Sequence, residues 1–203
     1  MSDIARLKIT LDEVDPQVLR KIEVPLDIKL DKLHVVIQAA MGWEDYHLYE
    51  FRVGRSLAYG IPDPDWPETR TLPAKKASLA DLLEHAKKTF AYVYDFGDDW
   101  MHTVKVEAIS PAKTDTHYPR LIAAEGRCPP EDCGGPWGYA DLKDAMADPK
   151  HENHANVVEW YGEMFDPAKI DQTAIAKDVE RIASKLTRKK APAKPKPKSA
   201  NKP

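Results

Sequence analysis

The chain has 203 residues, 42% of them hydrophobic and 31% charged, which suits one domain with a sizeable core. Its formal net charge is −3, but residues 185–203 hold eight basic side chains and no acid, so the remainder sets 22 basic residues against 33 acidic ones, a charge of −11. Such a body is a poor non-specific binder of phosphate backbones, and only the C-terminal segment suits polyanions.

No apolar run approaches the roughly 18 residues of a membrane span, and residues 1–6 lack the apolar stretch of a secretory signal. A cytoplasmic chain with no membrane partner is expected, with its two cysteines, Cys128 and Cys133, kept reduced. Leu7, Ile9 and Leu11 alternate with Lys8, Thr10 and Asp12, the pattern of a half-buried strand. A turn at Asp15-Pro16 leads to a second strand from Val18 to Val24, and the two make a hairpin. Leu30, Leu33, Ile37, Ala40 and Met41 recur at helical spacing, and Gly42 stops that helix. His47 to Val53 alternates again, and Arg55 to Pro73, with four prolines, reads as a long loop. Ser78 caps a short helix bearing Leu79, Leu82 and Leu83.

Thr89 to Phe96 and Trp100 to Ile109 read as a hairpin turning at Gly97-Asp98-Asp99, with Gly97 at positive φ. A three-residue loop sets Phe96 opposite Trp100, Tyr94 opposite His102, Tyr92 opposite Val104 and Phe90 opposite Val106, giving one apolar and aromatic face. A short strand is expected at Tyr118 to Ile122. Gly126 to Gly138, with three prolines and four glycines, is expected to be irregular. Helices follow near 139–147, 152–161 and 172–186, the last with Ile175, Val179, Ile182 and Leu186 on one stripe. From Arg188 onward Lys, Pro and Ala dominate, a composition that cannot build a core. The expected architecture is α+β: a mostly antiparallel sheet built from hairpins, packed with helices and ending in a helical C-terminal part. One domain spans 1–187, followed by a disordered basic tail over 188–203.

Three segments carry a resemblance. The first runs from Leu33 to Trp43 and continues with His47-Leu48-Tyr49-Glu50-Phe51. The second runs from Tyr94 to His102 and the third from Cys128 to Tyr139. Together they resemble the plasmid pRiA4b ORF-3-like family, which includes the TnpR-named passenger protein of an insertion element. The resemblance covers about Ile4 to Ile170 and implies association with mobile elements, with no defined reaction. The passenger's name suggests a resolvase, but the N-terminal region offers only Ser2 as a nucleophile, with Arg6 and Arg20 nearby.

Several constellations bear chemistry. Asp95-Phe96-Gly97 spells a kinase metal-binding triplet, yet the glycine-rich loop, lysine strand and catalytic loop of a kinase are missing, so a turn is the simpler reading. Asp95, Asp98 and Asp99 at the hairpin tip and Glu131 and Asp132 in the Pro/Gly loop could jointly hold Mg²⁺ or Ca²⁺ if the loops converge; carboxylates in turns are also common without an ion. Cys128 and Cys133 with His151 and His154 loosely fit a Cys₂His₂ zinc set, against a plainer role for the cysteines as small buried residues. A cysteine nucleophile paired with His34 or His102 lacks any local signature.

The rigid loop through Gly134, Gly135, Trp137 and Tyr139, together with Trp100 and His102 next to the acidic turn, is where a binding surface is expected. Lys189, Lys190, Lys194, Lys196 and Lys198 suit salt-sensitive contact with nucleic acid, or simply solvation. Two functional readings follow. One is a non-enzymatic binding module, contacting nucleic acid or another protein. The other is a metal-binding protein or metal-dependent enzyme built on the Asp95–Asp99 turn and the Cys128–Cys133 loop.

Overall fold

The structure is a computed structural model that describes residues 3–63, 71–162 and 165–190, with side chains as far as residue 186. The described residues form a sheet of order β5-β4-β3-β6-β7-β1-β2-β8, antiparallel throughout except for the β4–β5 pair. Its strands are β1 (Asp3–Leu11), β2 (Val18–Pro25), β3 (Tyr49–Val53), β4 (Leu57–Gly60), β5 (Thr71–Pro73), β6 (Thr89–Tyr94), β7 (Trp100–Pro111) and β8 (Arg120–Glu125). The helices are α1 (Leu30–Met41), α2 (Leu79–Ala86), α3 (Gly135–Ala147), α4 (His154–Tyr161) and α5 (Gln172–Lys190). The α+β class and the antiparallel hairpins match the alternation read in the sequence.

Strand alternation places Leu7 and Ile9 of β1, Phe51 of β3, Tyr92 of β6 and Val104 of β7 in one buried cluster with Leu30, Leu33 and Ile37 of α1. Gly42 ends α1 at φ 88, its N–H returned to the Gln38 carbonyl. The Ser78 hydroxyl accepts from Asp81 N while the Asp81 carboxylate accepts from Ser78 N, a reciprocal cap on α2. The helix α5 packs on α1 and β8, and its stripe includes the buried Val179 and Ala183.

Four expectations need correction. The β6–β7 connection is five residues long, 95–99, so Tyr94 faces Trp100, Tyr92 faces His102 and Phe90 faces Val104. The cause is local: Asp95 and Asp99 take positive φ (56° and 53°), Asp99 N donates to Asp95 O at 2.7 Å, and Gly97 keeps an ordinary φ. Because the register moves by two residues, Phe90, Tyr92, Tyr94, Trp100, His102 and Val104 still face the core, but Phe96 falls in the turn and is exposed rather than part of that face. The stretch 55–73 contains β4 and ends in β5, although residues 64–70 lie outside the described residues. Gly135 to Gly138 form the first turn of α3, where Pro136 needs no N–H partner and Gly134 caps at φ 89. Finally, α5 continues through Lys190, so the helix takes in the first residues assigned to the tail; residues 191–203 lie outside the described residues.

Candidate metal centre

Pairing of β3 with β6 sets Tyr49 opposite Tyr94. The segment before β3 and the turn after β6 therefore emerge at the same end of the sheet, and Asp95 N donates to Leu48 O at 2.9 Å. The Pro/Gly loop closes over both. Gly134 N donates to Asp98 Oδ2 at 3.1 Å, and Gly135 approaches so closely that a Cβ there would lie 2.4 Å from the Asp98 carbonyl oxygen. Trp43 Nε1 donates to Pro129 O at 2.9 Å, and Glu44 N donates to Glu131 Oε2 at 2.7 Å. The acidic turn and the cysteine-bearing loop thus meet, with a third segment, 43–48, between them.

At the meeting point His47 Nε2 lies 3.0 Å from Asp132 Oδ1 and 3.5 Å from Asp95 Oδ2. This nitrogen is buried; its two contacts are ion pairs when the imidazole is protonated, and neither has hydrogen-bond geometry. One ligand atom from each of the three residues falls within 4.8 Å of the others, the one such group of three or more among the described residues. Asp95 is buried, and its other oxygen accepts from Gly97 N at 2.9 Å, which fixes the carboxylate's aim. The Asp132 side chain is 63% exposed, so the group opens to solvent. Tyr94 supports it from beneath: its hydroxyl donates to Glu131 Oε1 at 2.5 Å and accepts from Tyr46 N at 2.9 Å and His47 N at 3.3 Å. Burial and then the Glu131 carboxylate push the Tyr94 phenol upward, so it stays a donor at neutral pH.

Of the residues nominated from sequence, Asp95 and Asp132 enter this group. Asp98 caps the entrance to α3, and Glu131 is held by Tyr94 and Glu44. Trp100, His102 and Tyr139 are buried in the core and offer no outer surface. Trp137 is 88% exposed. The Cys₂His₂ set is not assembled. His154 Nδ1 donates to Ala145 O at 2.7 Å, and His151 Nδ1 accepts from Asn153 N at 3.2 Å. Cys128 and Cys133 are free thiols; burial pushes both up, Cys133 to about 12, so both stay protonated at neutral pH and neither is an activated nucleophile. His34 is committed elsewhere: it stacks on Tyr49 at 3.6 Å, donates from Nε2 to Asp45 and accepts the Tyr92 hydroxyl at Nδ1. Lys189 and Lys190 fall in the last turn of α5, while Lys194, Lys196 and Lys198 lie outside the described residues.

Sequence reasoning missed His47, which reads there as the start of an alternating strand. Its role depends on the β3–β6 pairing, a contact between residues more than forty positions apart in the chain.

Comparison with known proteins agrees with this architecture. The profile of the plasmid pRiA4b ORF-3-like protein family matches residues 3–174. An uncharacterized protein of Sinorhizobium fredii, y4hQ, is 45% identical over 191 residues, covering 93% of this chain and 97% of its own. The crystal structure of a protein of unknown function from Methanosarcina mazei Go1, MM3350, superposes with a TM-score of 0.76 at 36% identity, covering 88% of this chain and 98% of that one. No helix among the described residues is long and apolar enough to cross a membrane.

Proposed function

The chain belongs to the plasmid pRiA4b ORF-3-like family, and from the geometry of its converging loops we propose that it is a divalent-metal-binding protein centred on His47, Asp95 and Asp132. One observation carries the reading: a buried imidazole nitrogen without a hydrogen bond stands 3.0 Å and 3.5 Å from two carboxylate oxygens. Two ligands sharing an ion at bond lengths of about 2.1 Å stand about 3.0 Å apart at a right angle and about 3.4 Å apart at the tetrahedral angle. The two imidazole–carboxylate spacings therefore suit ligands of a common ion.

The imidazole changes the expected metal. An all-carboxylate set favours Mg²⁺ or Ca²⁺, whereas one imidazole with two carboxylates favours a first-row ion such as Mn²⁺ or Zn²⁺. Exposure of Asp132 leaves the ion's outer side open to water or to a ligand. Protein prepared without a metal-affinity tag and stripped with chelator should take up one Mn²⁺ or Zn²⁺ per chain in calorimetric titration. His47→Ala should weaken that uptake by about 100-fold or more, beyond the usual effect of losing only a supporting contact. Unchanged uptake in this variant contradicts the reading.

A further inference from the structure

The three segments that meet at this end of the sheet, 43–48, 95–99 and 129–137, hold seven carboxylates and no lysine or arginine. The same segments hold exposed rings and a leucine: Tyr46, Leu48, Phe96 and Trp137. Exposed apolar side chains that gather in one place among polar groups mark an interaction surface, and the Phe96 ring already carries the Arg52 guanidinium 5.9 Å from its centroid. Their contacts with one another, Asp95 N to Leu48 O and Gly134 N to Asp98 Oδ2, tie the rings and the acids to one set of loops. Carboxylates interleaved with aromatic faces suit an extended cationic segment. Proline rings lie against aromatic rings, and ammonium groups are drawn both to carboxylates and to ring faces.

The chain carries such a segment. Residues 191–198 read Ala-Pro-Ala-Lys-Pro-Lys-Pro-Lys, within a stretch whose eight basic residues oppose a body charge of −11. The approach is also short. Lys185 of α5 lines the same groove, of about 440 Å³, as Glu44 and Asp45 of the first acidic segment. Beyond Lys190, an extended proline-rich chain at about 3.1 Å per residue reaches about 25 Å by Lys198.

We propose that the Lys/Pro segment 191–198 docks on the acidic, aromatic face formed by 43–48, 95–99 and 129–137 of its own chain. The inference rests on the convergence of these loops and stands whether or not an ion is bound at His47. A polyanion then competes with the protein's own face for the basic segment.

Zero-length carbodiimide cross-linking of the dilute full-length protein, mapped by mass spectrometry, tests the proposal. Amide links are expected from Lys194, Lys196 or Lys198 to Asp98, Asp99 or Asp132. Their yield should fall steeply with salt, and about fivefold in Trp137→Ala, the scale of one lost cation–π contact. The two readings separate cleanly: His47→Ala keeps the links and loses Mn²⁺ uptake, whereas Trp137→Ala keeps Mn²⁺ uptake and loses most of the links. Links confined to other carboxylates, or links found only between light and heavy chains in an isotopic mixture, would overturn the proposal. So would an absence of links at low salt; retention of duplex DNA by the tail at the same salt would then assign the tail to nucleic acid.

Discussion

His102 lies wholly inside the core, its Nδ1–H shared between the Tyr92 and Trp100 carbonyls at 3.2 and 3.1 Å, with no hydrogen-bond partner at Nε2 among the described residues. Burial lowers its pKa from 6.5 to about 4, outweighing the two carbonyls. The unfolded chain therefore binds a proton between pH 6.5 and 4 that the folded chain refuses. Stability is full above pH 6.5 and falls as pH drops toward 4, by roughly 3 kcal/mol at about 1.4 kcal/mol per pH unit. Denaturant midpoints measured between pH 7 and 4 should show this slope, and His102→Gln should flatten it. Gly135 poses a backbone constraint instead: φ is 69° and any Cβ meets the Asp98 carbonyl. Gly135→Ala should cost roughly 2 kcal/mol or more in chemical unfolding. Trp137→Ala, two residues away on the surface, should stay within about 0.5 kcal/mol of the parent.

At the scale of elements, the end of β6 holds the site together through one phenol. Tyr94 receives the backbone N–H groups of Tyr46 and His47 and donates to Glu131, so it couples the segment before β3 to the Pro/Gly loop. Tyr94→Phe removes all three bonds while leaving the ring in the core. Metal affinity should drop about 10- to 100-fold, with the circular dichroism spectrum unchanged. The elements themselves were largely legible. Alternation marked β1 and β3, the turns at Asp15-Pro16 and Gly97-Asp98-Asp99 marked β2, β6 and β7, and helical spacing with Gly42 and Ser78 bounded α1 and α2. What failed were local choices that several sequences can make. Asp95 and Asp99 adopt positive φ, which lengthens the hairpin turn beyond the one that Gly97 suggests. Proline density likewise concealed β4, a four-residue strand held by pairing with β3.

For the whole molecule, the decisive feature is where distant segments meet. The two acidic loops stood out in the sequence by residue type, but their convergence did not, because it follows from the pairing of β3 with β6 and the seating of Gly135 on Asp98. His47 remained hidden for the same reason. The convergence also concentrates acid at one end of the sheet, while residues 185–203 hold eight basic side chains and no acid. At that end His47, Asp95 and Asp132 are proposed as ligands of one ion. Anomalous diffraction at the manganese edge, from crystals of chelator-stripped protein equilibrated with Mn²⁺, tests it most directly. One peak is expected within about 2.3 Å of His47 Nε2, Asp95 Oδ2 and Asp132 Oδ1. A peak elsewhere, or none at millimolar Mn²⁺ with His47 still facing both carboxylates, would contradict it.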